Sequence, residues 1–262
     1  MALSTSRPST QRFDPVIEHP DAKGRFIFVC EHASNMIPAE WGDLGLTAEQ
    51  RMAHIAWDPG ALAVSRKLAE LMDGVVIHAP VSRLVYDCNR APDKASAMPE
   101  TSEVHDVSGN RNISPQERLR RTEAVYLPWA NGLHNLIAGR IALGLRPVIV
   151  TVHSFTPVYQ GKQRHVEFGV IHDNDLSLAV AIQAAASKHT RLHTKLNAPY
   201  SAADDVTHTL RAQALPYGLP NAMLELRNDL IATKSTQNEM AELLAPILNM
   251  GLVEIQRQAK AS

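Results

Sequence analysis

The chain has 262 residues, 45% of them hydrophobic, which is enough to bury a sizeable core in one α/β domain. Lys and Arg number 26 against 27 Asp and Glu, a net charge of −1. No basic excess points to nucleic acid, and no acidic excess points to a solvating tail. The cysteines, Cys30 and Cys88, lack CxxC spacing and sit in apolar runs, so they read as buried thiols rather than a disulfide framework.

Residues 1–23 are polar, with Pro8, Pro15 and Pro20, and read as a surface arm of a single domain spanning 1–262. The start carries no apolar signal-peptide region, and no segment approaches the roughly 20 apolar residues of a membrane span. The expectation is a soluble, cytoplasmic chain with no membrane partner. Residues 24–30 read as the first strand, which stops at Glu31 and His32 in "RFIFVCEHASNMIP". A short helix follows over 47–55, with Thr47 as N-cap.

"WDPGALAVSRKLAELMDG" predicts a helix with Asp58 as N-cap, Pro59 at its first position and Gly74 as its stop. "VVIHAPVSRLVYDCNR" reads as two strands broken at Pro80, and 91–113 as a long irregular loop of the kind that often covers a site. "SPQERL" opens a long helix, with Ser114 and Glu117 as a capping box, running to about Gly144 and kinked near Pro128. "RPVIVTVHSF" and "VEFGVIHD" read as strands and "NDLSLAVAIQAAASKH" as a helix. A helix near 206–215, a strand in "NAMLELRNDLI" and an amphipathic helix over 235–259 complete the chain. Alternating strands and helices predict a mostly parallel sheet covered on both faces, whose ligands gather beyond the carboxyl ends of the strands.

The strand ends therefore carry the candidate chemistry. They hold Glu31 and His32, then His153 with Ser154, then Glu225 with Arg227, and Asp58 begins the helix after the first strand. Two histidines and a carboxylate suffice to bind zinc while leaving a position for water, and a further carboxylate can act as base. Each residue also has a structural reading: Asp58 as a helix cap, Glu225 as a solvated acid, either histidine as a structural group. The dense run Arg83, Asp87, Asn89, Arg90 suits a substrate carboxylate, because a planar guanidinium binds one at two points. An internal Arg–Asp pair, with Asp87 as partner of Arg83 or Arg90, is the structural reading of the same run. His172 ends "VEFGVI" and reads either as a further site residue or, preferably, as a hydrogen-bonded core histidine.

"CEHASNMIP", "DPGA", "VSRLVYDCNR", "TVHSFTP" and "LELRNDLI", in that order from about 25 to 232, together resemble the N-formylglutamate amidohydrolase family. The resemblance implies a three-layer α/β/α sandwich with a mostly parallel mixed sheet, related to zinc exopeptidases and zinc amidases. It implies zinc, or another divalent metal, on His32, Asp58 and His153, with Glu225 as catalytic base. Carboxypeptidase-like relatives place the acidic ligand three residues after the first histidine, where this chain has Asn35. Glu31 is then the alternative ligand, or a partner that fixes the tautomer of His32. Arg90 is expected to stabilise the reacting group or grip a substrate carboxylate, with Arg83, Asn89, Ser154 and Arg227 expected as further substrate contacts. The implied activity is hydrolysis of an amide in a small N-acylated amino acid such as N-formylglutamate, a carboxylate-bearing small molecule. The alternatives are a zinc carboxypeptidase or amidase acting on short peptides or cell-wall fragments, and a non-catalytic metal- or ligand-binding module.

Overall fold

Continuous apolar runs decide the architecture, because a strand buried on both faces cannot alternate with polar residues. The computed structural model describes residues 11–261. In chain order the strands are β1 (Val16–Glu18), β2 (Phe26–Cys30), β3 (Val75–His78), β4 (Thr101–Ser102), β5 (His105–Asp106), β6 (Val148–Phe155), β7 (Val158–Tyr159), β8 (Lys162–Gln163), β9 (Phe168–Ile171), β10 (Thr194–Leu196) and β11 (Asn221–Arg227). The α-helices are α1 (Ala48–Met52), α2 (Ala61–Met72), α3 (Pro115–Arg121), α4 (Leu127–Ala142), α5 (Ser177–His189) and α6 (Lys234–Ala261).

The main sheet has the order β1-β3-β2-β6-β11-β9-β10. Its centre, β3-β2-β6-β11, is parallel, while β1 runs against β3, and β9 with its parallel partner β10 runs against β11. This is the expected mostly parallel mixed sheet in an α/β sandwich. β2 and β6 are buried along their whole lengths. One face, carrying Phe28, Val76, Val150, Val152 and Leu224, packs on Val64, Leu68, Ile182, Leu244 and Leu248 of α2, α5 and α6. The other face, carrying Ile27, Val29, Ile77, Ile149 and Met223, packs on Trp129, Leu133 and Ile137 of α4 and on irregular chain around Leu84, Val85 and Leu210. Among the described residues no helix is long and apolar enough to cross a membrane. Cys30 and Cys88 are free and buried.

Several elements differ from expectation. Of the N-terminal arm, residues 1–10 lie outside the described residues. Val16–Glu18 add an antiparallel edge strand, and Glu18 is held by Arg66 and by His78 at 3.0 Å. The second strand of "VSRLVYDCNR" is absent. That segment is a buried series of turns, with Leu84 N on Ser82 Oγ (3.2 Å), Asn89 N on Asp87 Oδ1 (2.9 Å) and Leu84 O receiving Asn110 Nδ2 (2.8 Å). Its apolar residues report burial, not extension. β10 appears where no strand was expected, and β4 and β5 form a short hairpin inside the 91–113 loop. The long helix breaks its ladder just ahead of Pro128, which has no N–H to give. Thr122–Tyr126 shift to π geometry, and Leu127 N–H reaches back to Thr122 O. Ser114 caps Glu117 N, but the Glu117 carboxylate turns away to Trp41, Arg120 and Arg121, so the box is half made.

The α2 start is the difference that matters for the site. Thr47 caps α1 as expected, with Gln50 returning the bond, but Asp58 does not cap α2. Gly60 occupies the N-cap in the left-handed region at φ 85, and the Asp58 carboxylate is thereby released toward the sheet. A Cβ on Gly60 would lie 2.5 Å from Ile231 O. Gly60→Ala is therefore expected to destabilise the fold by about 1–3 kcal/mol, a fall in Tm of roughly 2–10 °C. Thermal unfolding checks this, and an unchanged Tm would show that the turn relaxes without strain.

Candidate metal centre

The parallel core strands end at one rim of the sheet, and their ends supply the polar groups. His32 lies two residues beyond β2, and His153 lies within β6, two residues before its end. Glu225 of β11 is in register with His153 on one side and with Gly169 on the other. Asp58 is tied to the same rim by its N–H on His32 O at 2.9 Å. All four side chains are buried.

Three donor atoms converge. His32 Nδ1 is 3.2 Å from Asp58 Oδ2, His153 Nδ1 is 3.0 Å from that oxygen, and the two Nδ1 atoms are 3.1 Å apart. A tetrahedral ion with bonds of about 2.0 Å spaces its ligands by about 3.3 Å, so the triangle is of that size. Tautomers support the match. His32 Nε2 donates to Asp87 Oδ1 at 2.8 Å, which leaves Nδ1 with a lone pair. Glu31 Oε2 stands 3.2 Å behind His153 Nε2, as a charge contact without hydrogen-bond alignment. Lone pairs meeting at one point repel unless a cation or a proton sits among them. Glu31, the alternative ligand, is thus behind His153 and outside the cluster His32, Asp58, His153.

The electrostatics follow. Burial opposes charge on Asp58, but the charges and hydrogen bonds of His32 and His153 overcome it and hold the carboxyl well below its usual range. Burial favours a neutral His153 ring, yet the Glu31 charge and the Asp58 hydrogen bond raise it well above the ordinary value. Asp87 is likewise held low against burial, by His32 and by Arg83 and Arg90. Glu225 differs: burial pushes it up to about 7, with His153 pulling the other way. Its Oε2 is buried without a hydrogen-bond partner. Next to it, burial and the Glu225 charge push the Tyr200 hydroxyl up to about 12.

These groups open on a cleft of about 110 Å³ lined by His32, His54, Asp58, Arg83, Asn89, Arg90, His153, Ser154, Tyr200, Val206, Met223 and Glu225. Arg83 is spent on carboxylates, 2.7 Å from Asp87 Oδ2 and 3.4 Å from Asp58 Oδ1. Arg90 rests Nη1 on the carbonyls of Asn89 (3.0 Å) and Asp205 (2.9 Å). Asn89 staples the 206–209 segment, giving Nδ2 to Val206 O and receiving Thr209 N. Ser154 positions Asp58: its N–H reaches Asp58 Oδ2 at 3.3 Å and its hydroxyl reaches Pro59 O at 2.9 Å. Arg227 does not line the cleft. It pairs with Asp229 at 2.8 Å and Glu167 at 3.4 Å. His172 is away from the cleft, half-buried and bonded to Asp173 O.

Sequence reasoning passed over several wall residues. Asp87 stood in the quoted motif, but as a partner for arginine, not for His32. His54 donates to Ser154 O at 2.6 Å and stands 3.4 Å from Glu103 of the β4–β5 hairpin. Neither His54 nor Tyr200 lies at a strand end, so no sequence signal marked them.

The model of the N-formylglutamate amidohydrolase family matches residues 24–232. Among solved structures, a gene product of Agrobacterium tumefaciens is similar at 47% identity and a TM-score of 0.91, over 93% of this chain and 96% of that one. An N-formylglutamate amidohydrolase of Ralstonia eutropha matches with a TM-score of 0.63 over 90% of this chain and 97% of that one; at 16% identity this shows a shared fold. No curated protein matches the sequence.

A buried acid raised to about 7 stabilises the fold while it is protonated. That contribution is present below the unfolded carboxyl's pKa and is lost as pH rises through about 7. In metal-free protein, Glu225→Gln is therefore expected to gain on the order of 1–3 kcal/mol over the parent at pH 8 and little at pH 5. Thermal unfolding of both proteins at the two pH values checks it. An equal gain at each would show that Glu225 charge is not the cause.

Proposed function

The chain belongs to the N-formylglutamate amidohydrolase family, and on that premise we propose that it is a metal-dependent hydrolase of the amide bond in a small N-acylated amino acid such as N-formylglutamate. The observation that carries the reading is the 3.0–3.2 Å triangle of His32, His153 and Asp58 donor atoms beside the unpartnered Glu225 carboxylate. His32, Asp58 and His153 would hold the ion, and the two-nitrogen, one-oxygen donor set fits zinc. Bound there, a divalent ion supplies Lewis acidity, which acidifies water and polarises a carbonyl oxygen.

The chain's own groups do the rest. Asp87 and Glu31 behind the rings keep each Nδ1 aimed forward, and Arg83 keeps Asp87 and Asp58 charged and in place. Glu225 Oε2 accepts a proton from the attacking water as its oxygen bonds to the carbonyl carbon. The C–N bond then breaks, and Glu225 returns that proton to the departing amine nitrogen. A carboxyl pKa near 7 suits both halves of this shuttle. Arg90, with Nη1 braced on two carbonyls, grips the carboxylate next to the scissile amide. The 91–113 loop, latched by Glu103 on His54, narrows the approach and excludes water.

Purified protein is expected to contain a stoichiometric divalent metal and to hydrolyse N-formylglutamate, with loss of turnover on chelation and recovery on adding zinc. Metal analysis and an acyl-amino-acid panel with and without chelator test this. A metal-free protein that hydrolyses these amides, or a metal-loaded one that hydrolyses none, would sink the reading. Glu225→Gln is expected to retain metal while kcat falls roughly 10²–10⁴-fold, and retained turnover would remove Glu225 from the role of base.

A further inference from the structure

We propose that a groove at the amino ends of the central strands binds a small phosphate monoester, its dianion held by Arg25, Arg146 and Lys260. This goes beyond the hydrolase reading and does not depend on it. Arg25 directly precedes β2, Arg146 lies two residues ahead of β6, and Pro220 directly precedes β11. The metal centre lies at the opposite ends of these strands, and the eight residues of β6 span roughly 25 Å. The groove holds about 800 Å³, and Leu252, Ile255 and Lys260 of α6 complete its wall.

The positive charge gathered there has no acid to answer it. Arg25 is half-buried, and its Nε–H donates to Arg146 O at 2.7 Å, which ties the two residues side by side. Burial, and then the Arg146 charge, hold the Arg25 guanidinium below its usual value, so its neighbour acts on it by repulsion. No ion pair among the described residues includes Arg25, Arg146 or Lys260. Asp175 is the acid in the groove wall, and it already accepts from Ser177 N–H at 3.0 Å and from the Ser177 hydroxyl. Elsewhere arginines of this chain meet carboxylates, as Arg66 meets Glu18 and Arg211 meets Asp173. Like charges held together are costly, and an anion between them turns repulsion into attraction. Two guanidinium forks and an ammonium match the several acceptor oxygens and the double charge of a phosphate monoester. Leu252, Ile255 and Pro220 offer its organic part an apolar surface.

The test titrates the full chain calorimetrically with phenyl phosphate, inorganic phosphate and benzoate, once zinc-loaded and once after chelation, so that phosphate held by a metal is told apart. The parent is expected to bind one phenyl phosphate in both forms, roughly 10-fold or more tighter than either of the other anions. Arg146→Gln is expected to weaken that binding roughly 10-fold, and Arg146→Glu to abolish it with a Tm no lower than the parent's, since a carboxylate there would answer Arg25. The Arg25 bond runs to the backbone carbonyl of residue 146, so both variants keep it. Phenyl phosphate binding that is absent from the parent, confined to the zinc-loaded form, unchanged in Arg146→Gln, or matched by benzoate or inorganic phosphate would overturn the proposal. N-formylglutamate turnover is not part of this readout, so a failure of the hydrolase reading would leave the groove's assignment standing.

Discussion

Asp58 is only 2% exposed and yet keeps its charge, because two imidazoles approach the same oxygen within 3.2 Å. Burying a carboxylate is costly unless opposite charge or hydrogen bonds replace the lost water. The rim meets that demand with a chain of compensations: Asp58 with His32 and His153, those rings with Asp87 and Glu31, and Asp87 with Arg83. Each member is placed by the need of the one before it. The result is a cluster of donor atoms from His32, Asp58 and His153 at which a cation would offset their mutual repulsion.

The sheet and the loops divide this labour. Parallel strands bring His153 and Glu225 side by side by register alone, since residues opposite each other across a pair lie on one face. The glycine at 169 keeps the third position open: a Cβ there would lie 2.1 Å from Ala198 O, in the segment that leads to Tyr200. The loops add what strands cannot. The 81–90 turns fold Asp87 under His32, and the 91–113 loop sends Glu103 to His54. A strand-built floor with loop-built walls suits chemistry that needs fixed ligands and an adjustable substrate fit.

That floor was legible in the chain. Apolar runs ending in His32, His153 and Glu225 announced both the strands and their polar tips, and the DPG turn announced Asp58. The walls were not legible. The run "VSRLVYDCNR" is apolar enough to pass for a strand, but its residues are buried by packing under the sheet while its backbone is satisfied by Ser82, Asp87 and Asn110. Hydrophobicity records that a residue is inside and does not record the backbone path that took it there. Asp58 misled in a different way, since a carboxylate ahead of a helix looks the same whether it caps the helix or faces away. Arg227 stood at a strand tip as His153 did, but nearby acids on its own strand end and on the preceding loop claimed it.

The sequence by itself determined the fold class, the sheet with its central strands and the identity of the residues at their ends, because periodicity and punctuation are local properties of the chain. Only the tertiary structure decided which of those ends meet, which nitrogen of each imidazole points inward, and which arginines are claimed by carboxylates. Those outcomes depend on residues tens of positions apart closing to about 3 Å, and on competition among all the charges gathered there, which no single stretch of sequence contains.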